Sequence, residues 1–146
     1  IGSPMRSDAQ INASCLTCHS TTEQEMRDRV EGIHATYEQT KNVAFDAFTA
    51  LLYDIEAATK DGTDPARVDA ARAYQRKAQF FMDYVVSENS RGFHAPQYTN
   101  RLLNDVTDSV RRGQLALKGV EYAPAGPAES VPQGTFPVPL APNKLA

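Results

Sequence analysis

Between Thr22 and Lys60 apolar residues recur at spacings of three, four and seven: Met26, Val30, Ile33, Tyr37, Ala44, Phe48, Leu51 and Ile55. That pattern draws one apolar stripe along a helix. At ~1.5 Å per residue it predicts a rod about 55–60 Å long. A rod of that length cannot fold back on itself, so its stripe must be covered by other long helices, from this chain or from another subunit. Its start is marked by "STTEQE", where Thr22 and Glu25 stand three apart in a capping-box arrangement.

The rest of the chain supplies partners. "KDGTDPARVD" interrupts the pattern: Gly62 suits a helix C-terminus, Asp64 an N-cap and Pro65 the first helical position. Val68, Ala71, Tyr74, Ala78, Phe81 and Val85 then line one side of a second helix, expected to end around 89–91. "SRGFHAPQ" is a turn containing Gly92. Pro96 opens a third helix with Leu102, Leu103, Val106, Val110 and Leu117 on its apolar side, to about Lys118. No stretch alternates as a strand would. The expected fold is all-α, built from about three long antiparallel helices over 22–118. An attachment segment over 1–21 precedes them and a Pro-rich tail over 119–146 follows. That tail holds six of the nine prolines and three of the eight glycines, a composition for an extended or disordered segment. As an arm, it could be anchored on a neighbouring subunit by Phe136, Val138 and Leu140.

The 146 residues suit one domain with a real core. A formal charge of −3, with 15 basic residues that form no run, gives no support for nucleic-acid binding. No apolar stretch approaches the ~20 residues that cross a bilayer. No signal peptide is visible in "IGSPMRSDAQ", and a mature or excised chain would also begin without one. Asp61 and Asp64 read as turn and cap residues. Glu121, Glu129 and Lys144 fall in the tail, where charged side chains are solvated.

Both cysteines and one of the three histidines lie together in "ASCLTCHST". A structural zinc site needs four ligands; this cluster supplies three, and only two further histidines exist. A thioredoxin-like dithiol needs a βαβ setting, which the helical pattern denies. Cys15-Leu16-Thr17-Cys18-His19 instead has the spacing for covalent haem. Thiols at i and i+3 reach the two vinyl groups on one porphyrin edge, and the following histidine turns its imidazole to the iron. One haem c per chain is therefore expected, with Cys15 and Cys18 as thioether donors and His19 as proximal ligand. Such attachment takes place outside the cytoplasm, so the protein is expected to be periplasmic or otherwise exported.

The far side of that iron has five candidate ligands: His34, His94, Met5, Met26 and Met82. Met26 and Met82 fall on or near helix patterns and read as core filler. His34 lies one step off the apolar face, where a solvated or hydrogen-bonded imidazole is the simpler expectation. His94 sits in a Gly-Phe-His-Ala-Pro turn between two helices, where Phe93 and Pro96 give a ligand a rigid mounting.

"INASCLTCH", a long helix, "ENSRGFHAPQYTNRLLNDV" and "GQLAL" resemble the C-terminal part of the ammonia-forming, multihaem cytochrome c nitrite reductases. "IGSPM" resembles the segment just before that family's last haem motif. The likeness covers roughly residues 1–118 and stops at the Pro-rich tail. It implies that Cys15 and Cys18 attach the last haem of the set, with His19 proximal, and that His94 ligates a neighbouring haem. It also implies a homodimer through the long helices and a redox partner or further haems as electron donors. The histidine opposite His19 would lie just upstream of Ile1. The active-site haem, attached in that family through a motif ending in lysine, has no counterpart here, so the chain alone is not expected to be catalytic.

If Ile1 is a native N-terminus, the sixth ligand must be His94 of this chain, His94 of a second copy, or water. The expected role is electron transfer: a bis-imidazole iron passes one electron without rearranging bonds. Lacking the thioether that raises the potential of His/Met cytochromes, it should have a low potential. Two other readings stand beside it. One is a stand-alone monohaem protein whose open sixth position takes nitrite, hydroxylamine or peroxide. The other is a mainly structural dimerisation domain.

Overall fold

The computed structural model describes residues 7–121. The expectations placed on Met5 and on most of the Pro-rich tail, including Phe136, Val138 and Leu140, lie outside the described residues. Four helices follow one another: α1 (Asp8–Ser14), α2 (Glu23–Lys60), α3 (Pro65–Ser87) and α4 (Pro96–Leu117). No strand occurs among the described residues.

The helix starts follow from local chemistry. Thr22 Oγ1 accepts the Glu25 N–H at 3.2 Å, and Glu25 Oε2 accepts the Thr22 N–H at 2.8 Å, so both halves of the capping box form. Asp64 Oδ1 accepts the Ala66 N–H at 2.9 Å ahead of Pro65. Pro96 begins α4 with no side-chain cap. At the end of α2, Gly62 takes φ +75°, and the Thr63 N–H reaches back to the Ala58 carbonyl at 3.0 Å. Such a left-handed closure strongly favours glycine.

Two boundaries differ from the sequence expectation. α3 stops at Ser87 because Glu88 turns extended (φ −77°, ψ 115°) and gives its carboxylate to the following turn. α1, a single short helix inside the attachment segment, has too few residues to show a period. Its Ile11 is fully buried.

The core joins all three long helices through Tyr37, Ala44, Leu51 and Ile55 of α2, Val68, Ala71, Ala78, Met82 and Val85 of α3, and Leu102, Leu103, Val106 and Val110 of α4. Ile33, Phe48, Tyr74, Phe81 and Leu117, expected on the apolar stripes, are only half-buried. α3 and α4 pack most closely, with α2 laid along both. Tyr37 meets the α3–α4 turn at Gly92, whereas Leu51 meets Gly113 near the end of α4. Gln114 also bonds Asp54 at 2.7 Å. α2 and α4 therefore run parallel, and α3 runs antiparallel to both. In this register α2 overhangs the α3–α4 turn by its segment 23–33, about 16 Å of helix, and α1 packs on α2. The cysteine-bearing segment is thus carried on an arm outside the three-helix core.

Candidate haem site

The attachment motif is the turn that follows α1. Cys15 N–H donates to the Ile11 carbonyl at 2.8 Å, continuing the helical pattern. The Cys18 and His19 N–H groups then both point at the Cys15 carbonyl, at 3.2 and 3.0 Å. The Thr17 hydroxyl donates to Ala13 O at 3.0 Å. A reversal of this kind sets the two thiols on one short loop with the imidazole directly after them.

Neither cysteine is in a disulfide; Cys15 is half-buried, and Cys18 and His19 are exposed. An open hollow of about 520 Å³ beside the motif is lined by Leu16, Thr22, Glu23, Gln24 and Arg27. Among the described residues no three His, Cys, Asp or Glu side chains gather so as to hold a bare ion. Two free, accessible thiols followed by an accessible imidazole are the donor set that covalent haem requires, and they fit it. When bound, the haem iron supplies a one-electron couple.

The other candidates separate clearly. Met26 is 6% exposed and Met82 3%, and Met82 belongs to the core cluster. His34 is half-buried, with Nε2 3.1 Å from the Ser90 carbonyl. A carbonyl only accepts, so Nε2 carries the proton and is spent on that bond. His94 is different: its side chain is 74% exposed at the tip of the α3–α4 turn, with the Phe93 ring edge-on to it at 6.0 Å between centroids.

That turn is fastened to α2 at three points. His34 holds Ser90 O; Glu38 Oε1 accepts from Arg91 at 2.9 and 3.2 Å; and Gly92 faces Tyr37, where a Cβ built on it would lie 3.5–3.7 Å from Tyr37 and Thr99. Arg91 and Gly92 both take positive φ, +54° and +81°, a tight reversal that needs this clamp to stay put. A hydrogen bond from Lys41, with the help of Arg91, holds the Glu38 carboxyl below the ordinary range. Burial pulls the Glu88 carboxyl up, but the Ser90 hydroxyl, the Ser90 and Gly92 N–H groups and the His94 ring outweigh it, and the net direction is downward.

Sequence reasoning found the turn and His94 but not what holds them, namely Glu88, Ser90, His34 and the Glu38–Arg91 pair. The one local signal was an acid with a serine two residues on, "ENS". The contacts to α2 span more than 50 positions and leave no sequence pattern.

A helical chain with accessible thiols and imidazole in CxxCH order is a c-type haem protein of the electron-transfer class. The chain belongs to the cytochrome c552 family, whose model matches residues 1–137, and its cofactor is covalently bound haem c. It is 29% identical over 120 residues to a cytochrome c-552 of Desulfotalea psychrophila, a match covering 82% of this chain and 23% of that protein. A cytochrome c-552 of Maridesulfovibrio salexigens is 29% identical over 110 residues (75% and 22%). One from Bacteroides thetaiotaomicron is 28% identical over 124 (85% and 25%). The chain thus spans about a quarter of the length of these relatives. No helix among the described residues is long and apolar enough to cross a membrane.

Proposed function

We propose that this chain is the last-haem, C-terminal helical portion of an ammonia-forming cytochrome c nitrite reductase, and that it works as an electron-transfer module. Cys15 and Cys18 attach the haem, His19 is its proximal ligand, and His94 provides an axial imidazole to a neighbouring haem. The assembly is exported to the periplasm and carries electrons toward the reduction of nitrite to ammonium at a haem this chain does not contain.

The observation that carries this reading is the spacing along α2 between the attachment motif at its N-cap and the residues that clamp the His94 turn. Two imidazoles that ligate one iron must both reach the same metal, from opposite faces of one haem. Between the α2 N-cap beside His19 and the α2 residues that clamp the His94 turn lie roughly 18–24 Å of helix. His94 is exposed and firmly mounted, yet displaced along α2 from the attachment motif, which supports a second haem as its partner. Exposed apolar side chains support the expected homodimer. Phe45 and Leu52 recur seven apart beside the buried Ala44–Leu51 stripe of α2, and Phe80 and Tyr84 stand four apart on α3.

The test is the ferric EPR spectrum and haem-to-polypeptide ratio of the haem-loaded chain. One haem per chain in a high-spin state is expected, because the ligand opposite His19 comes from elsewhere in the larger protein. A low-spin signal that His94→Ala converts to high spin would instead make His94 the sixth ligand of this haem, and the stand-alone monohaem reading would replace the proposal.

A further inference from the structure

We propose that Glu88 is the positioning residue for His94: its carboxylate holds the Nδ1 edge of the imidazole against the turn, leaving Nε2 outward as the iron-binding nitrogen. This rests on the ligand role proposed for His94 above.

Glu88 is the first residue beyond α3, and its extended backbone aims its side chain into the turn that follows. Oε1 accepts the Ser90 N–H at 2.8 Å and lies 3.5 Å from His94 Nδ1. Oε2 accepts the Ser90 hydroxyl at 2.7 Å and the Gly92 N–H at 3.2 Å. The Ser90 hydroxyl in turn accepts the His94 N–H at 3.2 Å. One carboxylate therefore touches the backbone of the turn, its hydroxyl relay and the ring it presents.

The chemistry follows from the donor inventory. An ionised carboxylate only accepts, so the nitrogen facing it must carry the proton. In a neutral imidazole the proton on Nδ1 leaves the lone pair on Nε2. No described residue bonds Nε2 of His94, whereas Nε2 of His34 is already committed to Ser90 O. The two histidines at this turn are thus sorted by their partners, one fastening the loop and the other presenting a ligating nitrogen. A carboxylate behind a metal-bound imidazole also raises its basicity, and losing such a partner typically costs about 10–100-fold in metal affinity.

The experiment uses the complete holoprotein, with ferric EPR and the midpoint potential of each haem read for four variants. His94→Ala is expected to turn one low-spin haem per chain high-spin. Glu88→Gln, nearly isosteric but with one acceptor oxygen in place of two, keeps one of the turn's two N–H contacts and is expected to leave that haem low-spin. It should weaken the oxidised-state ligation about tenfold, which raises the potential by about 59 mV. Glu88→Ala should shift it further in the same direction, with helicity by circular dichroism confirming the fold. Ser90→Ala disturbs the relay but leaves the carboxylate at the ring, so the potential should stay at the wild-type value. Equal shifts in Glu88→Gln and Ser90→Ala would reduce Glu88 to a turn stabiliser and overturn the proposal. So would a Glu88→Gln potential identical to wild type while His94→Ala still loses the low-spin signal. If His94→Ala changes no spin state, the ligand reading itself fails, and Glu88 has no ligand to position.

Discussion

Leu51 and Gly113 mark a close approach of α2 and α4, and they form a quantitative test of the packing. A Cβ built on Gly113 would lie 3.0 Å from both methyl carbons of Leu51 and 3.4 Å from Tyr74 Cβ. Attractive carbon contacts begin near ~3.5 Å, and because both methyls are close, a simple side-chain rotation relieves only one. Leu51 is fully buried in the core cluster, so it has little room to retreat. Overpacking of this kind costs about 1–3 kcal/mol. Alanine in a helix interior regains about 1 kcal/mol over glycine. Gly113→Ala alone should therefore destabilise by about 0–2 kcal/mol, and Leu51→Ala alone by about 2–5 kcal/mol through the cavity it leaves.

The pair should behave differently. Once Leu51 is truncated, the alanine at position 113 keeps only the ordinary contact with Tyr74 Cβ, and its helix preference acts unopposed. Gly113→Ala becomes stabilising by about 1 kcal/mol in that background, so the cycle carries a favourable coupling of about 1–3 kcal/mol. Urea denaturation of the four haem-loaded proteins, followed by far-UV circular dichroism, measures it. Additivity within about 0.5 kcal/mol would show that the two helices do not meet at this point, and the parallel α2–α4 register would be wrong.

Three further outcomes are expected. His34→Ala should leave the ferric spectrum unchanged and lower stability by about 1 kcal/mol through the lost Ser90 bond; conversion of a haem to high spin would refute its assignment as a turn fastener. Cys15→Ser or Cys18→Ser alone should retain haem through one thioether, whereas the double variant should carry none through a denaturing gel stained for haem peroxidase activity. The Thr22 N–H and hydroxyl hold the Glu25 carboxyl below its ordinary value of 4.5, so the ionised form is favoured in the folded state. That contribution is present above pH 4.5 and is lost as pH falls through the lower folded value. The stability advantage of wild type over Glu25→Gln should therefore shrink on acidification below about pH 4.5, and an advantage that grew would contradict the capping box.

Legibility differed from element to element. The start of α2 was written in Thr22 and Glu25, and that of α3 in Asp64 and Pro65, because caps are made by residues within three positions of one another. The end of α3 was misplaced by a few residues, since what stops it is Glu88 turning to serve Ser90 and Gly92. α1 was invisible because seven residues cannot display a 3.6-residue period. Tyr74 and Phe81, read as core, remain half-exposed, and the smaller Ala71 and Ala78 take the fully buried places where α3 meets its neighbours.

The amino-acid sequence by itself determined the helical class, the haem-bearing loop and the presence of a histidine on a rigid turn. Each depends on residues close together in the chain: a period, a cap, or two thiols and an imidazole within five positions. Only the tertiary structure decided that α2 runs parallel to α4, that its first turns overhang the core, and that Nε2 of His34 is spent on Ser90 whereas Nε2 of His94 bonds no described residue. Those outcomes come from contacts between residues 53–60 positions apart. Local spacing cannot encode such contacts, because they are selected by which apolar faces exclude water together and by which polar groups are then brought within reach of a partner.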